Sequence, residues 1–491
     1  MASSGIDVAD LLMKSEEVVC RKFELVQNGV EKPRIIWGAG YLKSTSDGRL
    51  RFKIFAPEVN DIEFGLSDLF ATQPGRLLGE DAYYRLTVTT GHDGIWFSDV
   101  VYPEINSLPI RSISGNIREL RRTEHLITGG DAEPFGNTVR PGSLHLQFLD
   151  DVEFPANSAT TKSVSIIAGN EANSRESDSH PSKSWHLNVL RFSLFGYNFE
   201  MIRKENGFSF EATSDTLFPP HLDLRIQESL QFALGRTVFW KTSTFLSNGI
   251  VETRVRTLYD LNKKGRFLGP LVHNSPAGHT GEFFIKMFEC YFSFALTGSD
   301  EWHPCSVHLH QAIAAGSSST EGYALGLAVA VEGICKALHK EIGKPNQDEK
   351  AAISKLSKYL EDWPSTLDPN SCGRADIDRL MRRAKGAISR FKESRPLDQM
   401  IPLVQDSVIE ERHVEAWKKL RNPSAHAEIP DPTKLQEHFD KQFAVNVLIH
   451  HLIFAEIGYE GWYTDYSLPN FPDRFYRLGD MGKEPVFFIR N

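Results

Sequence analysis

The chain has little cysteine and no long apolar run, and each lack excludes a class of protein. Its five cysteines among 491 residues are scattered and form no Cys-x-x-Cys pair. We therefore expect reduced thiols in a cytoplasmic protein, with no disulfide framework. No stretch of about 18 apolar residues is present, so we expect no membrane span. The opening MASSGIDVADLLMKSEEVV carries acids where a signal peptide needs a basic start, which predicts that no secretory leader is present.

Positive charge and several familiar catalytic motifs are also lacking. The formal net charge is -9, which argues against broad electrostatic attraction to nucleic acid, so any nucleic-acid site must be local. The sequence contains no GxxxxGK(S/T) phosphate loop, no GxSxG elbow and no HExxH motif. Nucleotide hydrolysis, esterase and zinc-protease functions therefore have no support in the sequence.

The first half of the chain is prone to form β-strands. A chain of 491 residues is too long for one ordinary core, so two or three domains are expected. The run RLRFKIFA places Leu50, Phe52 and Ile54 on one face of an alternating pattern, and similar short runs follow between turn-rich segments. The polar stretch 169–184 is expected to be an exposed loop or a flexible insertion. The pattern predicts an antiparallel sandwich or barrel-like domain.

Helical spacing dominates from about residue 319. The segment 319–342 places Leu327, Val331 and Ile334 on one stripe. Pro432 suits the first position of the last helix, with Asp431 as its cap, and Gly458 suits its end. Long helices with short connections indicate an antiparallel bundle. Besides the segment 319–342, helices are predicted over 346–363, 374–393 and 407–422, and from residue 432 onward.

The expected fold class is α+β. A β-rich N-terminal sandwich or barrel-like domain with a helical connector is assigned to residues 1–300. An antiparallel α-helical bundle with a short tail is assigned to residues 301–491.

A short stretch late in the chain, KKLRNPSAHAE at 418–428, joins an arginine to a histidine. Pro423 lacks an N–H and disfavours helical geometry at Asn422, so the helix is expected to break at Asn422. In an unbroken helix, side chains five residues apart point about 140° apart. A break would let Arg421 and His426 converge on one site. The alternative is a capped helix corner with an exposed arginine and a packed histidine.

The stretch RNPSAH at 421–426 resembles the RNxxxH motif of the HEPN domain family, which lies at such a helix end in a helical bundle. The helix that contains Glu332, in AVEGICKAL, is similar to the opening HEPN helix, which often carries an acid there. The β-rich half followed by ESLQFALGRTVFW resembles the ApeA-type N-terminal domain found with HEPN domains in bacterial antiphage proteins. The first resemblance covers residues 319–460 and the second covers residues 20–300.

The HEPN resemblance implies a metal-independent ribonuclease that needs no cofactor. His426 is suited to take the proton from a ribose 2′-hydroxyl as general base. Arg421 offers a planar fork of donors to the phosphoryl oxygens. Asn422 would hold the histidine, cap the next turn or contact phosphate, and Glu332 would either support the site or pair with a buried arginine. One histidine and one arginine supply no acid, so a homodimer or higher even oligomer through the HEPN domain is expected.

RNA-binding residues are expected on locally basic stretches. The segment 373–395 has eight Lys and Arg against three Asp and Glu, a local charge of +5. Within it, Arg382 and Arg383 would track phosphates, whereas the alternative is a solvated helix face with i,i+4 ion pairs. Lys418 and Lys419 lie closer to the motif and are the stronger RNA-binding candidates.

A rival constellation contains four residues of metal-binding type within eight positions, His303, Cys305, His308 and His310. In a strand, His308 and His310 would share a face. The spacing matches no standard zinc pattern and no second cluster completes a site, so hinge packing between domains is expected here rather than a metal.

These features together indicate an endoribonuclease in antiphage or stress defence. Transfer RNA is a substrate by analogy alone, and the N-terminal domain would sense a trigger, such as one derived from a phage, or restrain the nuclease. One alternative is a non-catalytic HEPN module that binds nucleotide or RNA and scaffolds a partner. Another is a receptor in which the β domain binds a small ligand or glycan.

Overall fold

The chain divides into two compact units. The first comprises Met1–Asp223 and Val238–Lys263, and the second comprises Leu224–Thr237 and Lys264–Asn491. The computed structural model describes residues 8–59, 79–91, 94–105, 112–125, 142–150, 152–157, 188–258, 267–270, 280–339, 341–366, 373–425 and 432–481.

The first unit contains one antiparallel sheet of 13 strands within the described residues. Helix α1, Val8–Met13, packs on it, and a 3₁₀ turn at Glu80–Ala82 precedes the fourth strand. The strands are β1 Glu17–Gln27, β2 Ile35–Ser44, β3 Leu50–Val59, β4 Tyr84–Thr90, β5 Ile95–Ile105, β6 Ser112–Ile117, β7 Glu119–His125, β8 Gly142–Phe148, β9 Val189–Leu194, β10 Tyr197–Lys204, β11 Gly207–Ser214, β12 Trp240–Ser247 and β13 Ile250–Arg256.

Six of these strands close into a barrel. The sheet order is β4-β1-β2-β3-β6-β5-β7-β13-β12-β8-β11-β10-β9, and an additional pairing joins β4 to β5. That pairing closes β4-β1-β2-β3-β6-β5 on itself, which removes the exposed edges of a short open sheet. The remaining strands extend the sheet beyond β5. The predicted β-rich, barrel-like N-terminal region is therefore confirmed.

The barrel core follows from the alternation read in the sequence. Leu50, Phe52 and Ile54 are almost completely buried, as their spacing predicts, because successive strand residues face opposite sides. They join one cluster with Phe23 and Trp96. The predicted loop at 169–184 lies outside the described residues.

The second unit is helical except for one hairpin in its described part. Helix α2, Leu222–Leu234, begins at its border with the first unit. The other helices are α3 Thr280–Leu296, α4 Pro304–Ala315, α5 Thr320–Leu338, α6 Gln347–Asp362, α7 Arg374–Arg390, α8 Pro396–Gln405, α9 Glu411–Ala425 and α10 Leu435–Ile457, with 3₁₀ turns at Trp363–Thr366 and Pro432–Lys434 and strands β14 Gly461–Thr464 and β15 Asp473–Tyr476.

The ends of two predicted helices match their signals. Ser319 caps α5, its side chain accepting from the N–H of Gly322. Gly458 ends α10 in the left-handed conformation, with φ of 65°. Pro432 instead begins a 3₁₀ turn ahead of α10, and Asp431 lies outside the described residues. The α+β class is thus confirmed.

The core of the second unit forms around α5 and α10. Helix α5 buries the predicted stripe of Leu327, Val331 and Ile334. It packs against α4, α8, α9 and α10, while α10 also packs against α3 and α9. Helices α6 and α7 pack on each other, and Ile388 is the single buried side chain that the two helices contribute among the described residues. Helices α2 and α3 group with this unit rather than with the β-rich unit to which the sequence assigned them.

Gly40 in β2 permits a close approach of strand β3. A Cβ at this position would lie 1.8 Å from the carbonyl oxygen of Lys53, which is far inside van der Waals contact. We expect Gly40→Ala to lower the free energy of unfolding of the first unit by about 2 kcal/mol or more, measured by denaturant unfolding. Gly91→Ala is the control because a Cβ there meets nothing within 4 Å. Equal stability of the two variants would contradict this account.

Lys241 is fully buried in the first unit, where its Nζ donates to the carbonyl of Gly48 at 2.7 Å. Burial lowers the pKa of Lys241 to about 7, against the opposing attraction of Asp47. The folded-state pKa thus lies below the ordinary value of 10.5. Between these values the unfolded chain binds more protons, so stability should rise with pH from about 7 to about 10.5.

Lys241→Met should therefore stabilise the first unit at pH 7, and this advantage should shrink toward pH 10 by about 1.4 kcal/mol per pH unit. The carbonyl of Gly48 keeps its hydrogen bond from the N–H of Leu258, at 3.0 Å. Urea unfolding of both proteins at pH 7, 8, 9 and 10 tests this. If the free energies of unfolding of the two proteins changed with pH in parallel, Lys241 would not be the source of the pH dependence.

Candidate functional site

Helix α9 carries the RNPSAH stretch and is held in place by its buried face. Val414, Trp417 and Leu420 recur every three residues and are buried, and α9 packs against α5 and α10. Nε1 of Trp417 donates to the carbonyl oxygen of Ala328 in α5 at 3.2 Å. Arg421, beside this buried stripe, remains exposed.

The expected helix break at Asn422 is wrong. Helix α9 continues through Pro423 and ends at Ala425. A proline in a helix removes the hydrogen bond to the carbonyl four residues earlier, which here belongs to Lys419. Pro423 lies in the last turn and Lys419 is exposed, so a single bond is lost where water can replace it.

Arg421 pairs with Glu332 across the α5–α9 contact. Nε of Arg421 donates to Oε1 of Glu332, and its guanidinium carbon lies 5.9 Å from the centre of the Trp417 ring. The arginine side chain is 46% exposed and the glutamate side chain 26% exposed. A guanidinium has five N–H donors, so this pairing orients Arg421 without using all of its donors. The structure therefore brings these two sequence-predicted site residues together.

The two lysines before Arg421 differ in their surroundings. Nζ of Lys418 donates to Oε1 of Glu415 at 2.6 Å, and this hydrogen bond lowers the pKa of Glu415. Lys419 is exposed on the following position. Exposed ion pairs contribute little to stability, so both ammonium groups remain able to bind an anion.

The remaining predicted site residues are not all placed. The backbone of Asn422 belongs to α9, but its side chain and the whole of His426 lie outside the described residues. The convergence of His426 with Arg421 therefore stays a prediction. Arg382 and Arg383 are exposed on α7, in the helix pair α6–α7.

The rival histidine and cysteine constellation lies on a helix rather than a strand. His303 caps α4, its Nδ1 accepting from the N–H of Cys305 at 3.2 Å. Cys305 is fully buried. His308 and His310 stand two residues apart on this helix, so they point about 200° apart. The shared face that a strand would give them does not exist.

A different cluster of potential ligands was missed by the sequence analysis. Glu410, His413 and His451 each offer one ligand atom, and these atoms lie within 4.8 Å of one another. The local signals were a Glu-x-x-His spacing at the start of α9 and the adjacent pair His450–His451 in α10. Neither signal reveals that α9 and α10 meet at this point.

Two arginines and an aspartate surround this cluster. Nη1 of Arg474 donates to Glu410 at 2.6 Å and to Asp465 at 2.8 Å, and Nη2 of Arg412 donates to Asp465 at 3.0 Å. Burial acts to raise the pKa of Asp465, but the bonds from Ser467 and Arg474 outweigh it and hold the pKa far below its usual range.

The two histidines of the cluster are fully buried. Burial, with the repulsion of Arg412, lowers the pKa of His413 to about 4. Burial and neighbouring His413 hold the pKa of His451 well below its usual range. Both imidazoles are therefore neutral at pH 7.

One face of α5 next to Glu332 is apolar and exposed. Leu325 and Val329 are 43% and 50% exposed. By the 3.6-residue period they share a face with Glu332. An exposed apolar stripe that leads to the Arg421–Glu332 pair is suited to contact another protein surface.

Searches of protein-family models, curated proteins and solved structures found no match to this chain. In the described part of the chain, no helix combines the length and apolar content needed to cross a membrane.

Proposed function

We propose that the chain is a metal-independent endoribonuclease of the HEPN type that acts in antiphage or stress defence. The observation that supports this most is the exposed pair of Arg421 with Glu332, which orients the arginine of the RNPSAH stretch. In this proposal α5, α9 and α10 belong to the antiparallel HEPN bundle. The β-rich N-terminal unit senses a trigger or restrains the nuclease.

The proposed reaction needs a base, a cation and an acid. Neutral His426 takes the proton from a ribose 2′-hydroxyl, and the 2′-oxygen attacks the adjacent phosphorus. The bond from phosphorus to the 5′-oxygen breaks and the 5′-oxygen takes a proton from the acid, leaving a 2′,3′-cyclic phosphate and a free 5′-hydroxyl. Arg421 stabilises the charge on the phosphoryl oxygens, and Asn422 contacts His426 or the phosphate.

The surroundings of Arg421 support binding of an RNA backbone. Lys418 and Lys419 precede Arg421 on the same helix and are suited to bind neighbouring phosphates. Arg382 and Arg383 would extend this contact on α7. Glu332 acts by holding the guanidinium in one orientation. Transfer RNA is the substrate proposed by analogy.

The second candidate function is a non-catalytic HEPN module. The ion pair between Arg421 and Glu332 is compatible with this function, because the pair ties α5 to α9 and a pair with a purely structural role would also do so. Such a module would bind RNA or nucleotide, scaffold a partner and leave the RNA intact. An RNA-cleavage assay therefore separates the two functions.

His426→Ala and Arg421→Lys should each lower the rate of RNA cleavage by about 100-fold or more. The first removes the general base, and the second replaces a planar fork with a point charge. Full-length protein is incubated with total RNA or transfer RNA in the presence of EDTA. The fragments are then tested for a terminal cyclic phosphate and a free 5′-hydroxyl.

Two control variants match these changes. His125→Ala removes an exposed histidine of the first unit. Arg191→Lys alters another arginine whose Nε pairs with a glutamate, Glu200, at similar side-chain exposures of 56% and 27%. Both should cleave at the wild-type rate. Cleavage at that rate by folded His426→Ala protein would remove the catalytic proposal, and RNA binding without cleavage by wild type would favour the scaffold.

The missing acid leads to a proposal about assembly. Two copies packed about a two-fold axis would bring two RNPSAH stretches face to face, each supplying what the other lacks. Leu325 and Val329 offer an apolar surface beside the pair for this contact. The expected mass is about twice the chain mass of 55.4 kDa or a higher even multiple.

The double variant Leu325→Arg, Val329→Arg should be monomeric in light scattering and should lose cleavage activity. Leu478→Arg changes another exposed apolar side chain of the second unit, 52% exposed, and should leave both unchanged. Mixing wild type with excess His426→Ala protein should also inhibit cleavage once subunits exchange. A monomer that cleaves RNA at the full rate would contradict this arrangement.

A further inference from the structure

A buried polar cluster at the start of α9 is independent of the proposed RNA site. Glu410 directly precedes α9, His413 lies in its first turn and His451 lies in α10. Asp465 and Arg474 come from the β14–β15 hairpin region. Four chain segments therefore meet at one point inside the second unit.

Several polar atoms of this cluster are buried without a hydrogen-bond partner among the described residues. They are Nε of Arg474 and four atoms carried by rings, namely Nδ1 of His413, both ring nitrogens of His451 and the hydroxyl of Tyr463. An unpaired polar atom in a protein interior costs about 1–3 kcal/mol. Four such atoms on three adjoining rings indicate that a further polar group belongs between them.

The bonding of His413 leaves its Nδ1 suited to a metal ion. Nε2 of His413 lies 3.0 Å from Oγ of Ser467, and that hydroxyl donates to Oδ1 of Asp465. The hydroxyl proton is committed to the carboxylate, so Nε2 of His413 must carry the hydrogen and donate. Nδ1 then holds a free lone pair. A histidine oriented in this way by a hydroxyl and a carboxylate is typical of metal ligands.

His451 lies in a box of aromatic rings. Its ring centre lies 5.4 Å from that of His413, 5.0 Å from Tyr463 and 5.2 Å from Tyr476. These rings hold the imidazole in place, while neither of its nitrogens has a partner among the described residues. A group that binds to a lone pair of His451 must therefore approach from the direction of Glu410 and His413.

We propose that Glu410, His413 and His451 bind one divalent transition-metal ion of the zinc class. Two neutral imidazoles and one carboxylate form a three-ligand donor set that suits zinc. The hydroxyl of Tyr463 or a water molecule completes the coordination. The ion ties the start of α9 to α10 and to the hairpin as a structural clamp, and takes no part in RNA cleavage.

Binding of the ion requires the three ligand atoms to move slightly closer together. An ion about 2.1 Å from each donor holds the donors about 3.5 Å apart, compared with the present limit of 4.8 Å. The carboxylates of Glu410 and Asp465 already balance Arg412 and Arg474. Each oxygen of Glu410 that accepts from an arginine has a second lone pair for the ion.

The test uses full-length protein and measures metal rather than RNA cleavage. Metal content after purification with Zn²⁺ should be one ion per chain. Titration with Co²⁺ should give the visible absorption of a four-coordinate nitrogen and oxygen site. His451→Phe should keep the ring packing and weaken Zn²⁺ binding by about 100-fold or more.

The control is His450→Phe. His450 is also fully buried in α10, but its ring faces Phe232 and Phe267 and it is not part of the ligand group. This variant should bind Zn²⁺ as wild type does, and Zn²⁺ should raise the melting temperature of both. It should not raise that of His451→Phe.

Two results would overturn the proposal. One is wild-type protein that takes up neither Zn²⁺ nor Co²⁺, which would assign the cluster to internal water. The other is unchanged uptake by folded His451→Phe protein, which would place the ion elsewhere, for example near His303. Because the readouts are metal content and absorption, either result leaves the RNA-cleavage proposal untouched.

Discussion

The packing of Trp417 against α5 determines where the candidate site can lie. Its ring is buried and its Nε1 donates to the carbonyl of Ala328, so apolar burial and a hydrogen bond act at one residue. Glu332 lies four residues after Ala328, and Arg421 lies four residues after Trp417. Glu332 and Arg421 therefore meet one helical turn further along each helix from this contact. The ion pair is a consequence of the packing rather than its cause.

Local periodicity predicted the strand that contains Leu50 and the helices α5, α6, α7, α9 and α10, whereas the pairing of distant segments was hidden. Alternation placed Leu50, Phe52 and Ile54 in the barrel core, the helical spacing from about residue 319 matched the start of α5, and Gly458 correctly marked the end of α10. The closure of the barrel depends on β4 pairing with both β1 and β5, which no local pattern encodes. The break expected at Asn422 was wrong because a proline in the last turn costs one hydrogen bond, which tertiary packing of α9 outweighs.

The two polar sites of α9 differ in how far a sequence can reveal them. Arg421 was predicted from the RNPSAH motif and Glu332 from the helix that contains AVEGICKAL, and the packing of α5 against α9 brings them together. Glu410 and His413 are three residues apart, but His451 follows about 40 residues later. Its ring meets theirs only because α9 and α10 pack side by side. Burial of His451 was predictable from the apolar run around it, whereas its polar neighbours were not.

Burial separates the roles of two of the arginine–carboxylate pairs associated with α9. Arg474 is 7% exposed and pairs with Glu410 and with fully buried Asp465. Breaking such a buried pair leaves an uncompensated charge, so the start of α9 is fixed. Arg421 is 46% exposed, and an exposed pair contributes little to stability. Its guanidinium therefore keeps donors that a phosphate can reach while Glu332 orients it. A helix anchored at its start and adjustable at its end is suited to present Arg421 to a charged ligand.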